Sequence, residues 1–110
     1  VTTKNDLRSL TVGGKKNFRK KVVEIDEAKF EVRQLSVGDR QKIYDKSSKG
    51  DKISSSDFLV WSVIYCTFVP GTEEKVFDDA DYESLMAQPS DSFVDKLGQA
   101  AGELLDTEGN

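Results

Sequence analysis

The segment Asp57-Phe-Leu-Val-Trp-Ser-Val-Ile-Tyr-Cys-Thr-Phe-Val69 decides how the rest of the chain is read. Only Ser62 and Thr67 interrupt the apolar run from Phe58 to Val69, whose 12 residues are long for a buried strand and ordinary for a helix. The polar run Ser54-Ser-Ser-Asp57 ahead of it supplies an N-cap. Wound as a helix, the segment points apolar groups in nearly every direction and must be buried on most sides. It falls short of the roughly 20 residues a membrane-spanning helix needs. The reading predicts a central helix with more apolar surface than one small domain covers, and hence an oligomer or an apolar partner. A helix fully wrapped by its own neighbours is the plain alternative.

Toward the C-terminus, Pro70-Gly71 ends that element in a turn, and Lys75-Val-Phe77 is a short extended piece. Asp78 to Gln88 reads as a helix with acids in its first turn and Tyr82, Leu85 and Met86 inward, ended by Pro89. Ser90 or Ser92 caps a last helix, where Phe93, Leu97, Ala100, Ala101 and Leu104 recur at helical spacing. Gly98 and Gly102 weaken it, yet together leave a smooth strip for a close helix contact. Residues 106–110 are expected to fray.

Toward the N-terminus, Ser36-Val-Gly-Asp39 has the hydroxyl-to-acid spacing of a helix start, and the helix runs from Val37 to about Lys46, with Ile43 and Tyr44 inward. Ser47 to Ser56 is a polar loop. Lys21–Ile25 and Phe30–Arg33 form a hairpin around Asp26-Glu-Ala-Lys29. A two-stranded ribbon is marginal alone, so it lies on helices or pairs with a neighbouring subunit. Residues 1–19 read as a flexible basic arm and residues 20–105 as a single α+β domain: an N-terminal β-hairpin followed by a small bundle of about four helices.

With 110 residues the chain is one domain's worth of polypeptide, able to hold a core without staples. It contains no histidine, which excludes Ser-His and Cys-His nucleophile pairs and every His-containing zinc site. Its one cysteine, Cys66, allows no internal disulfide and reads as an inert core thiol. Asp78, Asp79, Asp81 and Glu83 resemble a calcium loop only superficially. Counted from Asp79, the places that need Gly and a bidentate Glu hold Ser84 and Ser90. Gly13-Gly14-Lys15-Lys16 lacks the first glycine and the closing Ser/Thr of a phosphate-cradling loop. No enzyme, cofactor or metal is expected. Nothing near Val1 has the apolar core of a secretory signal, so a soluble cytoplasmic protein is expected.

Charge divides the chain. Residues 1–21 hold seven basic side chains against Asp6, a net of +6, while residues 70–110 carry a net of −9. The basic residues Lys15, Lys16, Arg19, Lys20 and Lys21 suit phosphate, but a single aromatic, Phe18, and an acidic body argue against nucleic acid. A basic arm on one subunit meeting the acidic face of its neighbour is the better use of the split.

The order of elements carries a resemblance. The stretch Lys21-Val-Val-Glu-Ile-Asp-Glu-Ala-Lys-Phe-Glu-Val-Arg-Gln-Leu-Ser-Val-Gly-Asp-Arg40 is similar to the opening of the tail assembly chaperones of long-tailed bacteriophages. In those proteins a short hairpin leads through Leu-Ser/Thr to a charged helix, an apolar helix, a turn leading to Phe (here Phe77), an acidic helix and an amphipathic helix. Residues 20–105 follow that order; Pro70-Gly71 replaces the more usual Asp-Gly, and the basic arm is longer. The resemblance implies a protein that binds the tape-measure protein and helps recruit tail-tube subunits during tail morphogenesis. It also implies work in the host cytoplasm, absence from the mature virion, and identity with the short form made before a ribosomal frameshift. The homo-oligomer is expected from the apolar helix and the charge split. The candidate contacts are Trp61, Tyr65 and Phe68 on the apolar helix and Leu97, Leu104 and Leu105 on the last. A structural head–tail connector or tail terminator, or a nucleic-acid-binding regulator using the arm, are the competing readings.

Overall fold

The computed structural model describes residues 2–14 and 17–106, with the backbone alone for residues 105 and 106. Helix α1 (Lys4–Leu10) precedes a hairpin of β1 (Lys20–Ile25) and β2 (Ala28–Arg33), followed by α2 (Val37–Ser47). A second, minimal hairpin, β3 (Ser48–Lys49) and β4 (Lys52–Ile53), leads into α3 (Ser55–Cys66) and β5 (Thr67–Phe68). A 3₁₀ turn at Asp79–Asp81, α4 (Tyr82–Met86) and α5 (Phe93–Asp106) complete the chain. This is the expected α+β arrangement of a hairpin followed by four α-helices.

The first hairpin turns on Asp26 and Glu27, both in the left-handed region with φ of 51° and 69°. That is the conformation of a type I′ turn, which matches strand twist and normally favours Asn or Gly. The two-residue connection starts β2 two residues earlier than the sequence reading and pairs Ile25 with Ala28. β2 then pairs antiparallel with β5, so the sheet runs β1-β2-β5 and β1 is an edge. Thr72 N–H donates to the Val69 carbonyl across Pro70-Gly71, with Gly71 at φ +76°, the signature of a type II turn.

Helices α1, α2 and α3 each start on a side-chain cap. Ser36 Oγ accepts from the Asp39 N–H at 3.0 Å and Ser54 Oγ from the Asp57 N–H at 3.2 Å, as the sequence pattern predicts. Thr3 and Asp6 form a reciprocal capping box on α1. The arm therefore holds a helix where no element is expected from its composition. Every residue of α1 is exposed, so its order is local and capped, not packed. At α5 the expected serine caps are not made: Asp95 accepts from the Asp91 N–H, and among the described residues the buried Ser92 hydroxyl has no partner.

α3 lies at the centre, in contact with α2, α4, α5 and the sheet. The core joins Val60, Val63, Ile64 and Cys66 of α3 to Val94, Leu97, Ala100, Ala101 and Leu104 of α5, with Val32 and Leu85 at its sides. Two inward assignments are corrected: Tyr44 and Met86 are 42% and 41% exposed. Ile43, one residue from Tyr44, takes the fully buried position on α2, and Tyr44 instead tilts against Phe58 at the domain's rim.

Candidate functional site

Trp61 and Tyr65, at i and i+4, share one face of α3. Phe68, expected on the same helix, stands on β5 past the helix end at Cys66; it continues the aromatic ridge because it lines the same cleft as Tyr65. All three are half-buried. Trp61 stacks on Tyr82, ring centroids 4.8 Å apart at 18°, and meets Tyr65 edge-on at 6.2 Å. Each ring also carries a cation. Lys46 Nζ lies 4.5 Å from the Trp61 centroid, Lys75 Nζ 4.8 Å from Tyr65, and Arg33 Cζ 4.1 Å from Phe68. The cations arrive from α2, from the segment after the Pro70-Gly71 turn, and from β2. The charged heads themselves lie over the ring faces, with Lys46 and Lys75 exposed and the Arg33 side chain only 12% exposed.

Acidic groups hold two of these cations in place. Lys46 pairs with Asp79 at 3.5 Å, and Arg33 reaches Glu31, Glu73 and the Thr72 carbonyl. Glu31 is itself buried, and burial alone would raise its pKa. The hydrogen bond from Arg33, the Gly71 N–H and the Arg33 charge outweigh that and hold it below the usual carboxylate value. β2 and the Pro70-Gly71 turn are thereby locked together behind Phe68.

Tyr65 forms the wall between two clefts. One, of about 220 Å³, is floored by Phe18, Tyr65 and Phe68 and rimmed by Arg33, Asp39 and Glu73. The other, of about 240 Å³, lies among Ile64, Lys75, Val76, Phe77 and Asp79. The Tyr65 hydroxyl is raised above its ordinary pKa by burial and then by the Asp79 and Asp39 carboxylates, so it is a neutral donor at pH 7. An aromatic floor with charges of both signs at its rim suits side chains of another polypeptide.

Below this surface, Asp57 is buried and accepts from the Tyr82 hydroxyl and from Lys49 Nζ at 3.3 Å. The Tyr82 bond, followed by Lys49, holds its pKa below the usual value despite burial, while Tyr82 is pushed up to about 12. The triad ties β3, the start of α3 and α4 together. Cys66 is buried and burial pushes its thiol up to about 12, so it is unreactive at neutral pH.

The remaining predicted residues fall elsewhere. Leu97 and Leu104 are 0% and 8% exposed and belong to the core, so neither presents a contact surface. Gly98 allows this by letting Leu59 of α3 sit against the α5 backbone. The expectation that α3 exceeds what one protomer can cover is corrected too: no residue from Asp57 to Phe68 is exposed. Arg19 and Lys21 find partners within their own chain. Arg19 donates to the Leu104 carbonyl at 3.1 Å, at the negative end of α5, and Lys21 pairs with Glu103. Lys20 is exposed on β1; Lys15, Lys16 and the Leu105 side chain lie outside the described residues. Phe18, Arg33, Lys46 and Lys75 complete the aromatic surface, and no local sequence signal marks them.

No family model matches the chain, and no curated protein matches it. No helix of the described residues is long and apolar enough to cross a membrane. The chain is similar to the solved structure of the bacteriophage HK97 tail assembly chaperone, with TM-score 0.57 and 17% identity over 94% of this chain and 99% of that one. The resemblance carried by the order of elements is thus met by the backbone itself: this chain has the tail assembly chaperone fold.

Proposed function

We propose that this protein is a bacteriophage tail assembly chaperone. It binds the tape-measure protein, helps recruit tail-tube subunits, and acts in the host cytoplasm without remaining in the virion. The observation that supports this most is the shared fold over nearly the whole of both chains. Trp61, Tyr65 and Phe68 are the client-facing residues in this reading, with Phe18 completing the floor of the adjoining cleft. A client helix lays its apolar face on these rings, and its acidic groups take over Arg33, Lys46 and Lys75 from their present partners. Exposed apolar groups on α1, Leu7 and Leu10, offer a second contact, 54% and 81% exposed. The acidic remainder keeps the loaded complex in solution.

Co-expression with the tape-measure protein of the same phage tests the proposal. The expected result is a soluble complex whose yield falls when Tyr65 and Phe68 are replaced by Ser. A tape-measure protein that stays insoluble, or stable incorporation of this chain into purified virions, overturns it. Virion incorporation would favour a head–tail connector or terminator.

A further inference from the structure

β1 is an edge strand, and among the described residues nothing pairs with its outer side. The two-residue turn makes Ile25 and Ala28 a hydrogen-bonded pair, and alternation then directs the peptide groups of odd-numbered β1 residues toward β2. The 2.8 Å bond from the Gln34 N–H to the Arg19 carbonyl has the same parity. Lys20, Val22 and Glu24 therefore turn their N–H and C=O groups outward. Their side chains share one face and all are exposed, Val22 to 57%.

This edge is complementary to itself. We propose that β1 pairs antiparallel with β1 of a second copy about a two-fold axis at Val22, each Lys20 opposite the other copy's Glu24. A shift by one residue of either strand's centre leaves Lys20 or Glu24 opposite Val22. A further shift sets Lys20 on Lys20 or Glu24 on Glu24. Like charges directly opposite are unfavourable in a sheet, so one register satisfies every charge. Lysine on an isolated edge discourages pairing; here the glutamate four residues on supplies its partner.

α5 repeats the pattern beside the strand. Its exposed residues Lys96, Gln99 and Glu103 border a cleft of about 300 Å³ along the β1 edge. Under the same two-fold axis Lys96 approaches Glu103 of the second copy, with Gln99 at the middle. Positive, neutral and negative groups thus occur in an order that is its own complement on both the strand and the helix. The contact closes on itself, as a two-fold interface must, and joins two three-stranded sheets into one. It requires no client, so it stands or falls apart from the chaperone reading.

Sedimentation equilibrium of the full chain, with Glu24→Lys and the double swap Lys20→Glu/Glu24→Lys, tests it. The wild type should show a concentration-dependent dimer or an assembly built on one. Glu24→Lys should raise the dissociation constant roughly tenfold or more, and the double swap should bring it back near the wild-type value. Because the swap preserves composition, its recovery separates a lost contact from a lost fold. A strictly monomeric wild type at millimolar concentration overturns the proposal. So does an assembly indifferent to Glu24→Lys, or a double swap that stays dissociated.

Discussion

Leu59 occupies the space beside Gly98: a Cβ built on that glycine would lie 2.0 Å from Leu59 Cδ1 and 2.9 Å from its Cγ. One turn further along the same helix, a Cβ on Gly102 would meet nothing within 4 Å. Two glycines of one helix thus predict opposite outcomes. At Gly98→Ala, overpacking of about 1–3 kcal/mol outweighs the roughly 1 kcal/mol gained in helix propensity, and the protein is destabilised. At Gly102→Ala only the gain remains, up to about 1 kcal/mol. Urea unfolding midpoints for both variants check the pair.

Trp61 is half-buried, stacked on Tyr82 and overlain by Lys46. Trp61→Ala should cost about 2–3 kcal/mol, less than the roughly 3–5 expected of a fully enclosed tryptophan. Lys46→Ala removes one cation–π contact and an exposed ion pair with Asp79 and should cost about 1 kcal/mol or less. Chemical denaturation measures both. A Trp61→Ala midpoint equal to wild type would show that the Tyr82 stack contributes nothing.

Stability should fall at both ends of the pH scale. Tyr82 and Cys66 each have a folded pKa of about 12, above their ordinary values near 10 and 9. A raised value means the neutral group is favoured by the fold. Their contribution is complete below the unfolded pKa and is lost as pH rises through the folded one, from about pH 9 to 12. Asp57 is shifted down, so its contribution is present above about pH 4 and lost as pH falls through its folded value. Melting temperature against pH should show both declines. Tyr82→Phe should flatten the upper part of the alkaline one and Asp57→Asn the acid one.

α1 should be separable from the body. Thr3→Ala removes the capping box, and Leu7→Ser with Leu10→Ser removes the exposed apolar stripe. Neither change touches the core, so the melting temperature should stay within about 0.5 kcal/mol-equivalent of wild type. Circular dichroism should nevertheless lose helix in the Thr3→Ala variant. A large drop in melting temperature would mean that α1 packs on the domain in solution.

Much of the fold is written in local order. Ser36 and Ser54 announce their helices because a cap needs only a hydroxyl and an N–H three residues on. The Pro70-Gly71 turn is equally legible, because both residues restrict or permit φ by themselves. The same logic, applied to Thr3 and Asp6, marks α1, although its low apolar content argues for a mobile arm.

What sequence alone determined was the order of the main hairpin and the four helices after it, the α+β class, and the Trp61–Tyr65 pair on α3, since helical period and capping depend only on near neighbours. Tertiary structure alone decided which surfaces remain available. Leu97 and Leu104 went to the core because Gly98 lets Leu59 approach, and three distant cations came to lie over the ridge. Burial is a property of whatever packs opposite a residue, and no period along the chain encodes the neighbour that folding brings there.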